Sequence, residues 1–288
     1  MRDAALAALF VIIWAAAFTA IRGLVPEWPA LWALASRFLL VTPLLLGVVL
    51  WRHAAWPSQA DAGRVALMGV FGSALYLGGA WMSSRVLPTG LVAIISATAP
   101  LFVAGGQVVL LGQRLPALAW LGLGLGWLGV AVLGLGRGAL GVPVAELYGL
   151  AYALGGAMAQ ATGILAFAPA RNRVDPWVAN AGQAGMAALT MVVLASLVHP
   201  ALPPPPSATL LWTLAFSVLV VGMAGYALFF KMLQRFPAAT AAALQLLAPP
   251  LAALFGWALL GELLHWTDLL GGAVTLAGLL LLFRARAG

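Results

Sequence analysis

The sequence contains no cysteine. Disulfides, thiolate metal sites and thiol nucleophiles are therefore excluded. Charge is nearly as scarce: 7% of the 288 residues are Asp, Glu, Lys or Arg, where a soluble domain carries about 25%. Acidic charge is scarcest. Its seven carriers, Asp3, Glu27, Asp61, Glu146, Asp175, Glu262 and Asp268, sit at the ends of apolar runs or between them. What fills the chain is hydrocarbon, with 64% hydrophobic residues and a mean hydropathy of +1.06. So little polar surface cannot keep a folded chain of this size dissolved, which excludes a soluble enzyme and a disordered chain. The net charge of +7 comes from 14 basic residues scattered singly. That is the pattern of membrane-flanking anchors rather than of a nucleic-acid patch.

Charges, prolines and polar clusters divide the chain into ten apolar segments, 4–21, 30–51, 65–84, 89–111, 117–135, 146–167, 176–198, 208–230, 237–260 and 266–283. Each has about the 20 residues that a helix needs to cross the hydrocarbon core. The first is followed by Arg22 without a small-residue cleavage site, and reads as a retained span. Helices are required, because open strands would leave backbone groups unsatisfied in lipid. Glycines at packing spacings, such as Gly122 with Gly126 and Gly182 with Gly185, suit close helix contacts. With the N-terminus in the cytoplasm, ten basic residues fall inside against Arg22, Arg85 and Arg137 outside. The positive-inside rule then places both termini in the cytoplasm.

The two halves, 1–138 and 139–288, align at a shift of 149 residues. Pro88 falls on Pro237, Pro100 on Pro249, Gly112 on Gly261, Gly122 on Gly271 and Gly129 on Gly278. Five spans per half turn the second half upside down relative to the first. The expected fold is an all-α integral membrane protein of ten transmembrane helices, arranged as two inverted five-helix repeats. Inverted repeats are the signature of secondary transporters, whose alternating access works around a midplane site.

Several strings resemble the EamA-type drug/metabolite transporters. They are Leu-Gln-Arg-Phe-Pro-Ala-Ala-Thr at 233–240, Leu-Leu-Ala-Pro-Pro-Leu-Ala-Ala-Leu-Phe-Gly-Trp at 246–257 and Leu-Leu-Gly-Glu at 259–262, with Trp14 and the Arg37-Phe38 pair in the first half. Within that superfamily the chain is most similar to the YddG-type exporters of aromatic and other neutral amino acids. It departs from their pattern at Gln113, the counterpart of Glu262, and in lacking an aromatic near Gly155-Gly156. The resemblance implies a multi-pass protein of the bacterial inner membrane that exports small metabolites.

Arg37 is the one charge inside a span, about 10 Å along the second segment. It either attracts a substrate carboxylate or snorkels to the surface. Pro100 and Pro249 lack amide hydrogens and free the carbonyls of Ser96 and Gln245, which are partners under the 149 shift. The pairing reads either as a polar substrate site at two helix breaks or as two structural kinks. Trp14, Tyr76, Trp81, Gln160, Asn180, Gln183 and Tyr226 are the other mid-span polar or aromatic residues. The expected substrate-binding set is Trp14, Arg37, Tyr76, Trp81, Ser96, Gln160, Tyr226 and Gln245, centred on Ser96 and Gln245.

Gly124-Leu-Gly126-Trp-Leu-Gly129 matches a dinucleotide fingerprint by letter, but no strand precedes it. Glu262, His265 and Asp268 have a metal-like spacing in what reads as a solvated loop, and Pro203 to Pro206 as a stiff connection. No cofactor, metal or catalytic residue is expected. The partners are the lipid bilayer and a small-molecule substrate. The leading reading is export of aromatic or neutral amino acids. A drug, nucleoside or vitamin carrier of the same fold is the alternative within transport, with an intramembrane enzyme or passive channel behind it.

Overall fold

The computed structural model describes residues 2–24, 26–112, 114–139, 141, 143–226, 228 and 247–287. Every regular element among them is helical. In chain order these are α1 (Arg2–Leu24), α2 (Ala30–Trp51), α3 (Gln59–Leu67), π1 (Met68–Leu75), α4 (Tyr76–Ser83), α5 (Thr89–Ser96), α6 (Ala99–Leu111), α7 (Ala117–Ala139), α8 (Val144–Phe167), α9 (Pro176–Val198), α10 (Ala208–Ala215), π2 (Phe216–Gly225), α11 (Ala248–Leu260) and α12 (Trp266–Ala287). Elements α3, π1 and α4 form one rod over Gln59–Ser83, and α10 runs directly into π2. Eight helical segments are long and apolar enough to cross a membrane, and Ala117–Leu133 and Ala248–Leu260 are shorter apolar helices. Gln113, Pro237, Gln245 and the 233–240 string lie outside the described residues.

The helices are apolar on every side, as expected where lipid replaces water. Leu39, Val109, Leu135 and Trp212 are exposed. The inward faces of α2, α4, α5 and α9 build the main core around Leu34, Leu45, Trp81, Leu91, Ile95 and Met191.

Lipid tails are as apolar as leucine, so side-chain hydrophobicity does little to hold helix against helix. Close approach has to supply the attraction. It does so between α7 and α12. A Cβ on Gly129 would stand 2.6 Å from the Gly271 carbonyl oxygen, and one on Gly122 would stand 2.7 Å from that of Gly278. These four glycines are two 149-shift pairs, and the two contacts interchange under the shift. The dinucleotide-like string is thus a packing surface: Gly126 and Gly129 meet neighbours, while Gly124 has nothing within 4 Å. Gly182 and Gly185 meet the side chains of Val65 and Thr42 rather than a facing backbone.

Departures from α-helical winding also recur at that spacing. Segment π1 covers Met68–Leu75, and adding 149 gives 217–224, inside π2. The break between α5 and α6 lies at Ala97–Thr98, and Pro100 sits in the first turn of α6. Thr98 donates from both its backbone N–H, at 3.0 Å, and its Oγ1, at 2.6 Å, to the Ile95 carbonyl. Residue Thr98 has φ −78° and ψ −10°, and its counterpart Leu247, before Pro249 in α11, has −80° and −15°. Helices α6 and α11 both end on a left-handed glycine, Gly112 at φ 62° and Gly261 at φ 66°. A side chain there would be strained.

The glycine seam gives a paired test. Gly129→Ala should lower stability by about 1–3 kcal/mol through overpacking, read as a lower unfolding temperature in detergent. Gly124→Ala, which fills open space, should leave that temperature unchanged.

Candidate functional site

Two small adjoining clefts open inside the bundle, and Arg37 and Tyr226 line both. The larger is walled by Trp14, Phe18, Ile21, Tyr76, Leu77, Ser217 and Val221. The smaller adds Phe38, Val41, Ser73, Asn180, Gln183 and Gly222. Elements α1, α2, π1, α4, α9 and π2 all contribute. The two π segments run along the walls, and each hands over to a tyrosine, Tyr76 or Tyr226. Extended π-winding is rare and concentrates at functional sites.

Arg37 is 5% exposed, which places it in the bundle rather than at the lipid surface. Its Cζ lies 5.7 Å from the Phe38 ring centroid. Arg22–Glu262, Arg64–Asp61 and Arg173–Asp61 form ion pairs, and none of these involves Arg37. Its Nε is buried without a hydrogen-bond partner. The same is true of Asn180 Nδ2, whose own Oδ1 accepts from Gln183 Nε2 at 3.0 Å. Trp14 meets Tyr226 edge-on, with ring centroids 5.5 Å apart.

Four of the sequence-derived candidates therefore converge: Trp14, Arg37, Tyr76 and Tyr226. Three described ones stand apart from the cleft walls. Ser96 is buried beside Tyr76. Trp81 is fully buried in the main core, and Gln160 is half-buried on α8. Gln245 lies outside the described residues. The described half of the expected centre, Ser96, lies beside Tyr76 rather than in the cleft walls. Ser73 and Ser217 escaped the sequence reading. Serine is common in packed membrane helices, and only the π register, shared by both, marks them.

The carboxylates serve elsewhere. Glu262 reads as loop-exposed in the sequence, yet its side chain is only 10% exposed. It accepts from Arg22 Nε at 2.7 Å, from the Thr89 backbone N–H at 2.6 Å and from Thr89 Oγ1 at 3.1 Å. Pro88 gives α5 no side-chain cap, so Glu262 caps that helix from across the bundle. Arg22 also donates to the Ser84 carbonyl at 2.5 Å. Asp268, fully buried, accepts from the His265 N–H at 3.0 Å at the start of α12. The solvated-loop expectation for these residues is thus corrected: unsatisfied helix ends draw them in. Asp61 is clamped by Arg64 at 2.8 Å and Arg173 at 2.6 Å, and its carboxylate holds the Arg173 guanidinium above the ordinary arginine range. Among the described residues no group of His, Asp and Glu could hold a metal.

The sequence matches the EamA-like transporter family over residues 2–135 and again over 147–284. The chain belongs to that family. It is a multi-pass membrane protein of a transporter family rather than of an enzyme family. No curated protein matches the chain. Fifteen chains of solved structures do. One, described only as a crystal structure of a protein, is 20% identical, covers 98% of this chain and 97% of its own, and superposes with a TM-score of 0.63. That likeness carries the fold alone.

The Glu262 cap can be tested apart from transport. Glu262→Ala strips the Thr89 amide and Arg22 of their acceptor and should cost about 1–3 kcal/mol, seen as a lower unfolding temperature in detergent. Glu27→Ala, at an exposed site, should change nothing.

Proposed function

We propose that this protein is a secondary transporter that exports small amphipathic metabolites by alternating access, with the Arg37 clefts as its substrate site. The supporting observation is a buried arginine, its Nε without a hydrogen-bond partner, lining a space walled by Trp14, Tyr76 and Tyr226. A mainly apolar cleft with a few convergent polar groups is the usual form of a small-molecule site. Arg37 would take a carboxylate head, and the aromatic walls an apolar body. Aromatic and neutral amino acids have both and are the first compounds to test.

In this reading the ten segments form two inverted halves, 1–138 and 139–288, in the bacterial inner membrane with both termini cytoplasmic. The 149-residue recurrence of the glycine seam, the π segments and the broken helices supports it. Rocking one half against the other about the α7–α12 seam would expose the clefts to either side in turn. None of the described carboxylates reaches the clefts. Proton-coupled carriers usually keep one at that depth, so the reading is of a carrier that runs without a proton gradient.

Two measurements check this. In proteoliposomes a panel of labelled amino acids should show saturable counterflow, and a protonophore should leave its final extent unchanged. Flux that never saturates would mean a channel, and collapse on adding the protonophore would mean proton coupling. Separately, a C-terminal alkaline phosphatase fusion should be inactive in bacteria; activity would invert the orientation.

A further inference from the structure

We infer that the site is built for an organic monoanion, a carboxylate with an apolar body and no ammonium group, and that the membrane potential drives its export. The inference rests on the reading of the Arg37 clefts as the substrate site, and narrows what they hold.

Charge arithmetic carries it. Arg37 contributes one positive charge at a position that is 5% exposed. The chain has only seven acidic residues. Asp61, Asp268 and Glu262 are buried against their own partners at helix ends, Glu27 is exposed, and Asp175 accepts from the Trp177 N–H. Glu146 lies in the first turn of α8. Asp3 lies eleven residues before Trp14 on α1, about 16 Å along the axis. Residues 229–246 contain no Asp or Glu at all. Among the described residues, no carboxylate therefore lines the clefts around Arg37.

The unmet groups are donors as well. Arg37 Nε and Asn180 Nδ2 are both buried without partners, and both residues line the smaller cleft. Ser73 and Ser217 are neutral hydroxyl residues in the same walls. A carboxylate offers only acceptors and can take the guanidinium in a bidentate fork. A zwitterion would leave the occupied site with a net positive charge, because its ammonium cancels the carboxylate. Backbone carbonyls soften that penalty but are neutral overall and do not remove it. An amine would add like charge beside Arg37.

The missing proton relay then has a physical counterpart. An inside-negative potential expels a monoanion without help from protons. Each 100 mV supports a gradient of about 50-fold for a single charge. A zwitterion would gain nothing from the potential.

The test compares matched triads on the purified full chain in lipid nanodiscs: hydrocinnamate, phenylalanine and phenethylamine, then isocaproate, leucine and isoamylamine. The carboxylate of each triad should bind at least about tenfold tighter than its amino acid, the size of one charge-assisted bond, and the amine should not bind. Arg37→Gln should erase that preference, and Arg37→Lys should keep part of it. The wild-type series needs no variant, so it decides the matter even if Arg37→Gln fails to fold. On solid-supported membranes, a jump in carboxylate concentration should move negative charge, whereas the amino acid should move none; passive leak of the neutral acid carries no current. Binding of either amino acid or amine as tight as that of the carboxylate, or no binding by any of the six, overturns the inference. Amino-acid counterflow without carboxylate preference would sink the anion site and leave the transporter standing. Carboxylate binding without current or counterflow would do the reverse.

Discussion

In the hydrocarbon of a bilayer, a backbone N–H or C=O without a partner has no water to turn to, and this constraint shapes the whole molecule. It makes every described regular element a helix. It also makes each departure from α-winding costly, so the positions of the departures carry meaning. Here they are π1, π2 and the Ala97–Thr98 break. None faces lipid at random. The π segments line the clefts, and at the break the Ile95 carbonyl takes both the backbone N–H and the Oγ1 of Thr98. Irregular backbone is tolerated in a membrane where it is buried in protein or lines a polar space, and this chain follows that rule.

The same scarcity of solvation sorts the charges. Carboxylates sit where they satisfy helix ends: Glu262 on the amide of Thr89, Asp268 on that of His265, Asp175 on that of Trp177. Arginines at the ends pair with them. Arg37 differs from these in being 5% exposed, with its Nε lacking a hydrogen-bond partner. A buried, uncompensated guanidinium destabilises the fold by itself, so its presence is the strongest local conflict in the structure and the clearest pointer to a ligand.

Packing supplies the frame on which these groups sit. The α7–α12 seam is made of backbone against backbone through Gly122, Gly129, Gly271 and Gly278. Thr275 and Leu133 pack their side chains against the same glycines.

Much of this was legible in the residues alone. Apolar run lengths mark where helices must be, and proline and glycine mark where they must stop, because both act through the local backbone: Pro100 opens α6, and Gly112 and Gly261 close α6 and α11 in left-handed caps. The 149-residue spacing of those marks was equally readable. The burial of Glu262 was not, since it is drawn in by the start of α5 across the bundle, whereas Asp268 turns back onto the start of its own helix. The π register, which depends on packing along the whole rod, was not legible either, and it is what turns Ser73 and Ser217 to the clefts. The helices, their ends and the scarcity of acid could be read from the residues, because they follow from local chemistry and composition. The convergence of Trp14, Arg37, Tyr76, Asn180 and Tyr226 on the clefts could not be read that way, because it joins residues far apart in the chain through the packing of several separate helices.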